Sequence, residues 1–427
     1  MSDFEKLTVG DGVEIISVFA DRFKTNELSL SFLVPLSAET ASVNAIVPML
    51  LSRCSREYPT ILNLNRRLAS LYGAEIVPEI TKVGEMQQLK IGMTCLDDRF
   101  SLDGEKITSD CIKLLLSLAF DPVLDENGLF IEENVEREKR VLTEKIESEE
   151  NEKRLYVLRK AEEVMFEGEA YAVNRYGTMS DVAAITCKSA ADAWKNILKT
   201  AKIVLTIVGS ADAEEVKTLT QDMLSKIERA YCEPKKAVIK TDVDSVKDVT
   251  ERINVKQGKL VMGFRVDSDP ENIKQSVAMR SFTDIFGGGP YSKLFANVRE
   301  KMSLCYYCSA IFTKQKSFIM VQSGCEEENM DKARAEILNQ LEEIKKGNFE
   351  YEFNSSKIAL ADALNSVYDA PESIEGWYTA QACGSNYITP SESAKLNNAV
   401  TKEDIIDCAN RVKLDTVYRL AGEKEGE

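Results

Sequence analysis

The sequence predicts an α+β protein of two homologous-looking domains, each a mainly antiparallel sheet with helices packed on one face. Three observations carry this reading. Alternating apolar runs of strand length open each half, helical periodicities follow them, and a threonine-started helix leading into a glycine-ended strand occurs twice, at Thr186–Gly209 and Thr401–Gly422. The 427 residues are enough for two or three domains at roughly 150 residues each.

Taken in order, Val13, Ile15, Ser17 and Phe19 alternate with Glu14, Ile16 and Val18. After the Asp21-Arg22 break, Leu28–Val34 alternates again, and the two runs are expected to be antiparallel neighbours. A helix is expected from about Ser42 to Ser52. Another is signalled by Ile61, Leu64, Leu68 and Leu71, closed by Gly73 where a left-handed C-cap belongs. Asn134–Glu167 reads as a long charged helical stretch, with Val135, Leu142 and Ile146, then Leu155, Leu158 and Met165, marking apolar stripes. Its charge run from Glu147 to Arg154 is read as a solvated helix face. A helix around Trp194 and Leu198 then leads into the strand Ile203–Val208, which ends at Gly209.

The second half opens with the strand Leu260–Val266, followed by a helix, two strands between about Leu304 and Gln322, and two long helices. Thr401–Val412 as helix and Thr416–Gly422 as strand repeat the earlier unit, so an internal duplication is expected. Between the halves, Cys232-Glu233-Pro234-Lys235-Lys236 and Asp242–Lys256 lack periodicity. The expected division is therefore a first domain at 1–232, a linker at 233–252 and a second domain at 253–427.

Composition removes several mechanisms. No histidine occurs anywhere in the chain, so Ser-His, Cys-His and His-zinc centres are excluded, and no Ser-x-x-Lys spacing offers a serine–lysine dyad. With 54 Lys and Arg against 70 Asp and Glu, the net charge of −16 argues against nucleic acid or an anionic membrane as partner and is compatible with basic peptides. The start, Met1-Ser2-Asp3-Phe4-Glu5-Lys6, has no apolar core, and a cytoplasmic protein is expected. The apolar run Leu114–Phe120 falls short of the ~20 residues that a membrane span needs. Ten scattered cysteines suit reduced thiols, and the one C-x-x-C, Cys305 to Cys308, lies in a β-prone run and is read as core.

Several segments together resemble the pitrilysin/insulinase/mitochondrial processing peptidase family along nearly the whole chain. Arg137-Glu138-Lys139-Arg140-Val141-Leu142-Thr143-Glu144 resembles the family's E-R-x-x-V-L-x-E helix, while Tyr176-Gly177-Thr178, Ile185-Thr186 and Ile207-Val208-Gly209 resemble its later landmarks. The most specific stretch runs from Phe286-Gly287-Gly288-Gly289 through Ser292-Lys293-Leu294 and Val298-Arg299-Glu300-Lys301 to Leu304-Cys305-Tyr306. Active relatives carry H-x-x-E-H on a helix of the first half, where two histidines on one face share a zinc and the glutamate activates its water.

The resemblance aligns that motif with Ala45-Ile46-Val47-Pro48-Met49, so Ala45 and Met49 stand at the histidine positions and Pro48 at the base. Pro48 also removes a backbone donor from the expected helix. Glu144 matches the family's third metal ligand, but alone it cannot hold zinc and is read as an exposed helix glutamate. Arg299 and Tyr306 match the pair that contacts substrate backbone in active relatives, the alternative being a salt bridge and a core tyrosine that maintain the fold. Gly287, Gly288 and Gly289 admit tight turns and close backbone approach, and by resemblance are associated with substrate handling.

These matches imply a non-enzymatic chain without metal or other cofactor. They resemble the histidine-free member of bacterial two-chain pairs, some of them associated with elongation factor P modification, whose partner is a zinc-containing subunit of the same family and whose substrate is a peptide. The competing expectation is a self-sufficient structural or peptide-binding protein, a homodimer, with no peptidase partner.

Overall fold

The computed structural model describes residues 4–234, 236–384 and 386–423; Met1, Ser2, Asp3 and the linker residue Lys235 lie outside the described residues. Two compact units emerge, and neither is contiguous in sequence. The first comprises Met1–Glu147, Val173–Lys236 and Val367–Thr389, the second Ser148–Ala172, Ala237–Ser366 and Pro390–Glu427. Each unit thus takes one segment from the far side of the 233–252 boundary expected from sequence.

The first unit is built on β1 (Glu5–Gly10), β2 (Val13–Phe19), β3 (Thr25–Pro35), β4 (Glu75–Val83), β5 (Met86–Leu96) and β6 (Lys202–Gly209). Their order in the sheet is β1-β2-β6-β3-β5-β4. β6 runs parallel to β2 and antiparallel to β3, so β2 and β3 are not the neighbours expected from sequence. The reason is β6 itself: Ile203–Gly209 is buried throughout, which suits a central strand covered on both faces.

One face of this sheet carries the helices Ala41–Leu51, Ile107–Phe120 and Cys187–Thr200, with Leu30, Phe32, Leu50, Leu115 and Leu205 in the shared core. The helix Pro371–Thr379 lies on the other face and sets Ile374 and Tyr378 against Ile16, Val18 and Val204. This second layer explains why Ile16 and Val18 are buried although Ile15 points into the main core. The Ile61–Ser70 helix ends as its glycine signals, with Gly73 at φ +77 donating its N–H to Leu68 at 3.0 Å.

The second unit holds β7 (Lys247–Ile253), β8 (Lys259–Val266), β9 (Tyr307–Thr313), β10 (Phe318–Gly324) and β11 (Val412–Gly422), in the order β7-β11-β8-β10-β9. Strand for strand this repeats β2-β6-β3-β5-β4, including one parallel pair, β11 with β7, in an otherwise antiparallel sheet. Helices Cys187–Thr200 and Lys402–Asn410 both start from a threonine capping box, Thr186 with Ser189 and Thr401 with Asp404. The duplicated unit read from sequence is therefore a duplicated sheet. All of β7 but its last residue, Ile253, lies inside the stretch read as linker.

The charged stretch 134–167 forms two helices, Glu132–Asn151 and Lys153–Met165. Glu152 between them leaves helical geometry and its carboxylate caps the second helix by accepting the Arg154 N–H at 3.1 Å. The expected stripe of Leu155, Leu158 and Met165 is accordingly rotated. Val157, Ala161 and Met165 are buried against Val261, Met320 and Tyr418 on the far face of the second sheet, while Leu155 is 51% exposed. Among the described residues, no helix is long and apolar enough to cross a membrane.

Candidate functional site

The helix Ala41–Leu51 runs unbroken through Pro48. Proline is tolerated because it sits in the last turn, where only one intrahelical bond is lost, and because the Ser52 N–H and hydroxyl both donate to the Pro48 carbonyl, at 3.1 and 2.8 Å. Ala45 is fully buried and Met49 is 3% exposed, both in the apolar core of the first unit. Glu144 is exposed on the Glu132–Asn151 helix. Ala45 and Pro48 carry no donor atom and Met49 only a thioether, so this set does not fit a zinc ion. Among the described residues, no group of three or more His, Cys, Asp and Glu could hold a metal.

The segment leaving this helix makes two contacts that no local sequence pattern signals. Arg53 forms an ion pair with Glu138, whose carboxylate is almost wholly buried, and the Asn134 amide reaches the Cys54 sulfur at 3.9 Å. Burial pushes the Cys54 thiol up from its ordinary range. These contacts join the segment after Leu51 to the Glu132–Asn151 helix with a charge pair and an apolar thiol.

In the second unit, Gly287 ends the Ile273–Gly287 helix and Gly288 caps it. None of Gly287, Gly288 and Gly289 has a positive φ, so their backbone needs no glycine for conformational reasons. Close approach is what they provide: a Cβ on Gly287 would stand 2.6 Å from the Ala310 nitrogen, and one on Gly288 2.1 Å from an Asp284 oxygen. Gly288 lines a cleft of about 230 Å³ together with Ser276, Arg280, Asp284, Lys314 and Leu360.

Arg299 lies in the π-helical turn Phe295–Lys301, its guanidinium 4.5 Å from the Phe295 ring centroid and 3.6 Å from the Glu300 carboxylate. Tyr306 is 61% exposed; its N–H donates to Gly324 at 2.8 Å and its hydroxyl to Glu326 at 3.2 Å. Tyr306 is thus not a core tyrosine. Between these two, the Cys305 thiol is drawn down to about 7, first by its hydrogen bond with Cys308 and then by Ser323 and the Arg299 charge, against burial. The ten cysteines are all free.

Two sheets of one topology, with no histidine, cysteine or carboxylate at Ala45, Pro48 or Met49, fit the peptidase-like framework that the resemblance implies. Comparison with known proteins agrees. Residues 184–360 match the family model described as the peptidase M16 inactive domain. The chain is 29% identical over 406 residues, 95% of each protein, to the probable inactive metalloprotease YmfF of Bacillus subtilis. A conserved protein of Enterococcus faecalis superposes with a TM-score of 0.89 at 27% identity over 100% of both chains. A peptidase M16 inactive domain from Pseudomonas fluorescens superposes at 0.78 with 14% identity over 100% of both, a likeness of fold alone. The chain is thus similar over 95% of its length to a protein described as a probable inactive metalloprotease, and over residues 184–360 to the M16 inactive domain.

Proposed function

We propose that this chain is a non-catalytic subunit that binds peptide and assists a zinc-bearing partner of the same fold in proteolytic processing. One contrast carries the reading. The three positions assigned to the metal motif, Ala45, Pro48 and Met49, are buried and apolar, whereas Arg299 and Tyr306, assigned to substrate contact, stay at the surface with donors that can reach a peptide backbone. The net charge of −16 favours basic peptides and would speed their encounter. Ten free thiols fit a reducing compartment such as the cytoplasm.

The test is reconstitution. Purify the chain alone and together with an H-x-x-E-H protein encoded beside it, then measure association, bound zinc and cleavage of basic peptides. Association with faster cleavage than the partner shows alone supports the reading. Stoichiometric zinc and cleavage by this chain alone would overturn it. A stable homodimer that binds peptide and ignores the zinc protein would establish the competing self-sufficient role.

A further inference from the structure

The cleft beside Gly288 is built from three elements of the second unit: the Ile273–Gly287 helix, the edge strand β9 with the turn after it, and Leu360 on the Glu350–Ser366 helix. Two cations share it. Burial alone holds the Arg280 guanidinium below its ordinary range, and one of its N–H groups reaches the Ser393 hydroxyl at 3.3 Å. Burial also lowers the Lys314 ammonium, and Arg280 lowers it further; Glu271 and Asp269 oppose this with smaller effects.

The acidic residue of the cleft is engaged elsewhere. Asp284 accepts a hydrogen bond from the Tyr291 hydroxyl at 2.7 Å, and burial raises its carboxyl above the ordinary range. Ser276, a residue only 4% exposed, lines the same space, and its buried hydroxyl has no hydrogen-bond partner among the described residues. Buried hydroxyls are ordinarily satisfied, so this one marks a place for an acceptor. The remaining lining includes the apolar residues Ala310, Ile311 and Phe312 of β9, with Leu360.

Two cations and a hydroxyl among the lining residues, together with apolar side chains, match a carboxylate joined to a short hydrocarbon. The volume, about 230 Å³, exceeds many-fold the ~10–15 Å³ one water needs and falls below the ~300–1,000 Å³ of drug-sized pockets. One residue's worth of ligand fits it.

We infer that this cleft binds the terminal carboxylate of a peptide ending in an aliphatic residue. Arg280, Lys314 and the Ser276 hydroxyl hold the carboxylate, while Ile311, Phe312 and Leu360 take the last side chain. The choice of a peptide as the source of the carboxylate rests on the peptide-binding function proposed above.

The experiment is calorimetric titration of the purified full chain with three probes: an N-acetylated tetrapeptide ending in leucine, its C-terminal amide, and 4-methylpentanoate. The free-acid peptide is expected to bind at least tenfold more tightly than the amide. Lys314→Gln is expected to weaken it about tenfold and Ser276→Ala about threefold, as the loss of charged and neutral hydrogen bonds implies. Ser276→Ala breaks no hydrogen bond made among the described residues, so it remains informative if Lys314→Gln fails to fold. Binding of 4-methylpentanoate as tightly as the peptide would keep the carboxylate site and assign it to small free acids. Equal affinity for acid and amide, no binding of any probe, or acid affinity unmoved by both substitutions would overturn the inference. No partner enters this titration, so its result is independent of whether a zinc-bearing subunit is assisted.

Discussion

Arg53 and Glu138 form an ion pair between the segment leaving the Ala41–Leu51 helix and the helix Glu132–Asn151, with side-chain exposures of 22% and 5%. The two segments that the family resemblance brings together around a metal are joined here by a charge pair. Removing one partner strands the other, and the loss is felt most when the remaining charge is buried. Arg53→Ala is expected to cost about 2–3 kcal/mol in urea unfolding, because it leaves the Glu138 carboxylate uncompensated. Arg53→Lys should recover part of that loss. A change below about 0.5 kcal/mol for Arg53→Ala would show that the pair is solvated and inert.

Restoring the motif letters should not restore the site. The triple variant Ala45→His, Pro48→Glu, Met49→His places polar groups where the helix is packed into the core, with Ala45 fully buried and Met49 3% exposed. It is expected to melt well below the parent and to retain no stoichiometric zinc after gel filtration, as read by metal analysis. One bound zinc per folded chain would mean that the framework still holds a metal geometry.

Lys316 has no solvent-exposed side-chain surface and lies 2.8 Å from Glu169, which also meets Arg265 and Lys240 at 3.2 Å each. Arg265 in turn bonds Asp415 at 3.0 Å and the Met165 carbonyl at 2.8 Å. This network pins the segment Ser148–Ala172 to the second sheet. Lys316→Ala is expected to lower stability by about 3 kcal/mol and to increase proteolysis near residues 148–172, whereas Lys316→Met, which keeps the packing, should cost less. Burial raises the Glu169 carboxyl, but Lys316 and then Arg265 and Lys240 reverse this and hold it below the usual range. Its stabilising effect is therefore present at neutral pH and lost as pH falls through the carboxylate range.

Glu27 has the opposite sign. Burial first, then the Glu375 and Glu372 charges, push its carboxyl up to about 7, although Thr94 donates a hydrogen bond to it at 2.6 Å. A carboxyl that stays protonated longer in the folded state stabilises it most at acidic pH, and that contribution disappears as pH rises from about 4.5 to 7. Glu27→Gln is therefore expected to gain about 2 kcal/mol relative to the parent between pH 5 and pH 8, in denaturant unfolding at the two pH values. An unchanged difference between the two proteins across that range would show that Glu27 titrates as an exposed carboxylate.

Much of this architecture is written locally. Thr186 and Thr401 with their capping boxes, Gly73 after its helix, and the apolar strands at Ile203–Val208 and Leu260–Val266 each carry their own signal. The β2–β3 adjacency failed because β6, almost two hundred residues later, inserts between them, a choice that no local pattern encodes. The hairpin of β4 and β5 went unread because Pro78, Lys82, Gln87 and Gln88 blur its alternation, and β7 because an edge strand keeps polar residues. The helix break at Glu152 is hidden inside a run of good helix formers. At the site, the missing histidines were legible at once. The cleft was not, because Ser276, Lys314 and Leu360 come from three separate elements.

The central proposal is that a chain without histidine still contributes peptide contacts to another protein's catalysis. The most direct measurement is the cleavage rate of the reconstituted pair with parent chain and with Arg299→Ala, the complex being verified by gel filtration. Arg299 is only half-buried and its charge partner Glu300 is exposed, so folding and assembly should survive the substitution. The expected result is an intact complex whose kcat/KM falls at least tenfold, with Tyr306→Phe giving a smaller loss. An intact complex that cleaves at the parent rate with both substitutions would contradict the claim.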